Sequence, residues 1–169
     1  YCGGKEKAKH ANKKPRAGRG AVGKTAVLGM RERGGRTRAR VIEATDKATL
    51  QAAVKGAVDA GSAVHTDEHA GYDGLAEAFT GGHATVSHST GEYVRDGVHT
   101  NSIESVWAVM KRGIHGVYHH ASEKHLDRYL GEFTFRLNEG NVKRHTMERL
   151  DSLTGASVGR RLTYKDLIA

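Results

Sequence analysis

Two carboxylates stand out by their surroundings. Asp67 closes a short apolar run, Ser62-Ala63-Val64-His65-Thr66, at the point where that run gives way to Glu68-His69. Glu104 lies inside the stretch His99–His115, whose apolar residues Ile103, Val106, Trp107, Met110 and Ile114 recur at helical spacing. Catalytic groups in α/β sheets gather at the carboxyl ends of strands, and Asp67 has that position. Two carboxylates held close repel each other, and a hard cation such as Mg²⁺ or Mn²⁺ relieves the repulsion through the oxygen ligands it prefers. A pair of such ions, about 3.5–4 Å apart, activates a nucleophile and stabilises the leaving oxygen of a phosphodiester. Lys111 falls two turns after Glu104 on the same helix face, where it can hold a phosphate or a terminal base. The plainer reading makes Asp67 a turn former and the helix a surface element with a solvated polar edge.

These groups need a scaffold. Thr25–Arg31 reads as a strand, Glu32-Arg33-Gly34-Gly35 as a hairpin turn and Arg36–Ala44 as the returning strand. Thr45 or Asp46 caps a helix expected to reach about Asp59, with Leu50, Ala53, Val54, Ala57 and Val58 on its apolar face and Gly61 as its stop. The strand ending at Asp67 follows, then a short helix over Tyr72–Phe79, a strand over Ala84–His88 and a polar loop over Ser89–Gly97. Thr100 or Asn101 caps the central helix, and Gly113 or Gly116 ends it. A last long helix runs from about Ser122 to Asn138, carried by Leu126, Tyr129, Leu130, Phe133 and Leu137. Residues 141–169 read as a polar tail with one amphipathic turn at Met147, Leu150 and Leu153. Strand–helix alternation after an antiparallel hairpin predicts an α/β fold, a mixed sheet with helices on its faces.

Charge narrows the partners. Of the 169 residues, 1–40 hold 13 Lys or Arg against two acids, while the remainder hold 14 basic against 17 acidic. The net +8 is therefore the property of one segment, and such segments bind polyanions, nucleic acid above all. Within it, residues 5–24 form a basic, Gly-rich loop with the chain's only proline, Pro15. The run Gly18–Thr25 matches the P-loop pattern, but a P-loop needs a buried strand before it and a helix after it, and neither is expected here. The histidines His115, His119, His120 and His125 lack an acid or cysteine at zinc-ligand spacing. Tyr93 and Tyr118 are candidates for stacking on bases. With one cysteine there is no internal disulfide, and no apolar run is long enough to span a membrane. A cytoplasmic protein, nucleoid-associated when bound to DNA, is expected.

Taken in order, Tyr1-x-Gly-Gly-Lys5, Gly18-Arg-Gly-Ala-Val-Gly-Lys24, Gly29-Met-Arg-Glu-Arg-Gly-Gly35, Thr66-Asp67-Glu-His-x-x-Tyr72, Val98-His-Thr-Asn-Ser-Ile-Glu-Ser-Val-Trp107, Lys111-Arg-Gly-Ile-His-Gly-Val-Tyr-His-His120 and Lys124-His-Leu-Asp-Arg-Tyr129 resemble bacterial insertion-sequence transposases with an ISXO-type DDE domain. The resemblance covers residues 1–139, leaving 140–169 as a tail outside it. It implies a ribonuclease-H-like fold and metal-dependent cutting and joining of DNA by three acids with Mg²⁺ (or Mn²⁺). By matching motif Asp67 is the second acid and Glu104 the third, with Lys111 seven residues on; Asn101, in the same motif, competes with Glu104 for the third place. The first acid belongs to a run that begins here at Tyr1, so the resemblance implies that this chain lacks one metal ligand and the start of its central strand and is inactive or nearly so. The DNA contacts implied are Lys5, Lys13, Lys14, Arg16, Arg19, Lys24, Lys111 and Arg112, the partners are element ends and target DNA, and a homo-oligomer on DNA is expected. A non-catalytic DNA-binding remnant of a transposase is the alternative.

Overall fold

Apolar side chains on both faces of one hairpin set the architecture. The computed structural model describes residues 24–87, 94–95, 97–119, 121–140, 143–161 and 163–168. Strands β1 (Ala26–Arg31) and β2 (Thr37–Ile42) pair antiparallel in the register Ala26↔Ile42 to Arg31↔Thr37. The turn between them closes through Glu32 N–H to Arg36 O (3.0 Å) and Gly35 N–H to Glu32 O (3.1 Å), with Gly34 at a φ of 67° that favours glycine. Paired residues share a face. Leu28 and Ile42 pack with Leu50 and Ala53 of α1 (Lys47–Lys55) on one side. Val27, Ala39 and Val41 pack on the other against a cluster of Met110, Leu126 and Leu130. Those three come from α2 (Asn101–Gly113) and α3 (Leu126–Glu139).

Helix α3 also seals the hairpin's outer edge. Thr37 N–H donates to Asn138 Oδ1 (2.7 Å), and Asn138 Nδ2 donates back to Thr37 O (2.9 Å). Val41 N–H donates to Asp127 Oδ1 (2.7 Å). Two side chains thus satisfy β2 backbone groups that would otherwise lack a ladder partner.

The second sheet is parallel: β3 (Val64–Asp67) beside β4 (His83–Val86), with Asp67 opposite Val86. The single mixed sheet expected from the sequence is not formed among the described strands, which make two separate two-stranded sheets. The reason is spatial. Every residue of β1 and of β3 lines the same cleft, so that cleft stands between the two strands.

Several boundaries differ from expectation for identifiable reasons. Helix α1 does take Asp46 as its cap, through Thr49 N–H to Asp46 Oδ1 (3.0 Å), but stops at Gly56, well before Gly61. Tyr72–Phe79 is two short 3₁₀ turns, Ala70–Tyr72 and Leu75–Ala78, separated by Gly74 at φ 86°. Gly113 is the last α-helical residue of α2, one of the two expected ends, and its missing side chain makes room for the Phe133 ring of α3. The chain runs on through a π-helical turn, Ile114–Tyr118, and turns away at His119, whose φ is 57°. The tail is more ordered than a polar segment with one amphipathic turn: it holds α4 (Thr146–Ser157) and α5 (Tyr164–Ile168). The stripe Met147, Leu150, Leu153 of α4 stays exposed.

Two outcomes test this framework. Asn138→Ala leaves both Thr37 backbone groups unpaired and is expected to cost about 1–3 kcal/mol in chemical denaturation. Glu132 accepts from the Tyr118 hydroxyl and from Arg136 (2.5 Å), and these hold its carboxyl below the ordinary glutamate value. A depressed folded-state value adds stability that is present above the unfolded value and lost as pH falls through the folded one. Glu132→Gln is therefore expected to lower stability at neutral pH and to flatten its decline below about pH 4.5, as read from melting temperature against pH.

Candidate functional site

Asp67 ends β3 at its carboxyl end and is exposed. His69 N–H donates to Asp67 Oδ1 (3.3 Å), which turns the chain away from the strand. The same turn is held by Gly71 N–H donating to His69 Nδ1 (3.0 Å). Thr66, just before Asp67, is buried and hydrogen-bonds His83 of β4 (2.8 Å). Pairing with β4 and the turn after it thus place Asp67 at the strand end, with the residue itself exposed.

Glu104 lies in the first turn of α2. There the helix dipole favours an anion. Thr100, which precedes the helix and is buried, donates from Oγ1 to Glu104 Oε1 (3.1 Å). Asp67 and Glu104 line one cleft of about 910 Å³, bounded by β1, β3 and the start of α2. Asn101, Lys111 and Arg112 are exposed on α2 and lie outside that lining. Lys24 is exposed just ahead of β1, and a strand rather than a helix follows it, unlike a P-loop. Lys5, Lys13, Lys14, Arg16, Arg19 and Tyr93 lie outside the described residues.

Titratable neighbours crowd the cleft. Burial lowers the His65 value from the ordinary imidazole range, and Arg33, His99 and His83 push it the same way. Tyr72 is pushed up to about 12, first by burial and then by the charge of Asp67. The phenol is therefore neutral at physiological pH and available as a donor. His99 also lines the cleft, and its buried Nδ1 has no partner among the described residues.

The donor chemistry fits a hard cation in part. Asp67 and Glu104 offer carboxylate oxygens from two different elements, and Mg²⁺ commonly takes one or two carboxylates, completing its shell with waters and substrate phosphates. Among the described residues no group of three Asp, Glu, His or Cys gathers closely enough to hold a metal by itself. Any such ion would rest on two protein ligands plus oxygens from elsewhere.

Reasoning from sequence missed the cleft's basic wall. Arg31, Arg33, Arg36 and Arg38 of the hairpin line it together with the two acids. The signal in the sequence is the alternation of Arg36 and Arg38 in the returning strand, which the overall basic charge of the first 40 residues hides. Thr100 is the cap residue, as expected, and its hydroxyl holds Glu104 rather than a backbone amide.

Among the described residues no helix is long and apolar enough to cross a membrane. Neither a curated protein nor a solved structure matches the chain. The model of one family, described as the ISXO2-like transposase domain, matches residues 1–138. With the greater part of its length inside that match, the chain belongs to the ISXO2-like transposase family.

Proposed function

We propose that this domain cuts and joins DNA strands, with Asp67 and Glu104 as its metal-holding carboxylates and DNA as its substrate. The observation that carries this reading is the shared cleft. A carboxylate at the end of β3 and another in the first turn of α2, far apart in sequence, line one opening. An antiparallel hairpin and a parallel pair on either side of that opening suit a ribonuclease-H-like arrangement, and the family supplies the role in transposition.

Mg²⁺ or Mn²⁺, when bound, would polarise a phosphodiester and activate the attacking hydroxyl. The chain's own residues do the rest. Thr100 sets the Glu104 carboxylate by hydrogen bonding to Oε1. The His69 amide and the strand end set Asp67. Lys111, about 10 Å further along α2, meets a neighbouring phosphate. Glu104 rather than Asn101 takes the third acidic place on this reading, because Glu104 lines the cleft and Asn101 does not. The 5–24 segment adds charge that holds DNA without reading its sequence. The setting is the cytoplasm, at the nucleoid, with two or more copies gathered on DNA.

A second reading, a DNA-binding protein without catalysis, draws support from the absence of a third gathered ligand among the described residues. Mn²⁺ binding followed by electron paramagnetic resonance separates the two. Asp67→Asn and Glu104→Gln are each expected to weaken Mn²⁺ binding at least about tenfold, as loss of one of two charged ligands implies, with oligonucleotide affinity within about twofold. A wild-type chain that binds DNA and takes up no Mn²⁺, with or without DNA present, would leave only the non-catalytic reading. If Asn101→Ala abolished Mn²⁺ binding and Glu104→Gln did not, the assignment of the third place would be reversed.

A further inference from the structure

We propose that the β1–β2 hairpin is the strand-holding wall of the cleft, with Arg33, Arg36 and Arg38 gripping successive phosphates of a single DNA strand. The inference rests on the DNA reading above and adds to it the surface and the form of DNA it takes. All three arginines are exposed, and all three line the cleft that holds Asp67 and Glu104.

Their charge is poorly compensated. Arg33 donates to His65 Nδ1 (3.0 Å) and to Gly97 O (2.5 Å), both neutral acceptors, so its positive charge remains whole. Arg36 meets Glu139 only at 3.7 Å, with its own side chain 67% exposed, a pairing of small worth in water. Among the described residues no carboxylate pairs with Arg38. Guanidiniums lining one cleft with so little anionic compensation favour an incoming phosphate backbone, and the guanidinium fork suits phosphate oxygens.

Position makes the wall directional. Arg33 reaches from the hairpin tip across to His65, two residues before Asp67. A phosphate that displaces Gly97 O or His65 from this guanidinium would lie beside the strand that ends in Asp67. The form of DNA follows from the rings that line the cleft. His69 and Tyr72 line the same space, and a basic groove with aromatic rings is how proteins hold unpaired strands.

The test uses the chain of residues 1–169 and a fluorescein-labelled oligothymidine, unpaired or annealed to its complement, with anisotropy read over a range of salt. Arg33→Ala/Arg36→Ala/Arg38→Ala is expected to weaken unpaired-strand binding about tenfold or more and to make the log–log salt slope shallower by about 2, three contacts' worth. The charge-matched control Arg160→Ala/Arg161→Ala/Lys165→Ala, three exposed residues outside the cleft lining, is expected to change neither beyond about twofold. Should the triple variant lose its cooperative melting transition, Arg38→Gln alone is expected to make the slope shallower by about 0.7. A wild-type chain that binds the oligonucleotide as tightly as the hairpin variants, with the same slope, overturns this inference and leaves the DNA reading standing. Equal losses in the hairpin and control variants overturn it as well. A wild-type chain that binds neither form of DNA overturns both.

Discussion

The close approach of Trp107 to Gly29 fixes where the candidate acids stand relative to each other. A side chain on Gly29 would collide with the Trp107 ring and press on Ile103 at 3.1 Å. With only hydrogen there, the indole lies directly on β1, and Ile103 packs beside it. Glu104 is the next residue after Ile103 and three before Trp107, so the rotation of α2 about its axis is set by that contact and the carboxylate is carried to the cleft. Gly113 does the same at the far end of the helix, where the Phe133 ring of α3 occupies the space a side chain would need. Two glycines at close-packing points therefore hold α2 between the hairpin and α3, and the position of Glu104 follows from packing rather than from any bond to Asp67.

The hairpin that receives Trp107 is buried on both faces and sealed on one edge by Asn138 and Asp127. Its other edge borders the cleft. Residues paired like Arg31 and Thr37 direct their backbone groups away from the partner strand in alternate positions. Since Thr37 points both of its groups outward to Asn138, Val27, Gly29 and Arg31 present theirs on the cleft side. β3, paired with β4, borders the same space. The cleft is thus bordered by polar backbone and by arginines and acids as well as by the apolar side chains of β1 and α1.

What the sequence made legible was local. The hairpin, its turn at Glu32–Gly35, the Asp46 cap, the strand ending at Asp67 and the stripe of Val106 and Met110 all come from spacing and turn chemistry within a few residues. What it left illegible depends on contacts between distant segments. The periodicity of Ala84 and its neighbours marks a strand but does not say which strand pairs with it, and the division into two sheets follows from that choice. Gly113 carries the sign of a helix end, which it is, but only the Phe133 ring shows that its missing side chain is also a packing requirement. Arg36, Arg38 and Arg40 alternate along β2, but only the placement of β3 opposite β1 makes Arg36 and Arg38 part of a cleft wall.

The two charges of the cleft pull in opposite directions, and their arrangement resolves the conflict. Carboxylates alone would repel a phosphate backbone, and arginines alone would bind it without bringing it to any reactive group. Here the arginines come from the hairpin, while the acids come from β3 and α2 across the opening. Among the described residues no arginine of the hairpin is ion-paired with Asp67. Direct pairing would cancel both proposed roles, neutralising the guanidinium and occupying the oxygens a cation needs. Arg33, the guanidinium that crosses toward β3, is met there by a histidine nitrogen and a carbonyl instead of by Asp67. Burial and the Arg33 charge both lower the His65 value, so at neutral pH its ring remains an acceptor for that guanidinium. The cross-cleft contact therefore brings positive charge beside the strand that ends in Asp67 without pairing with that carboxylate.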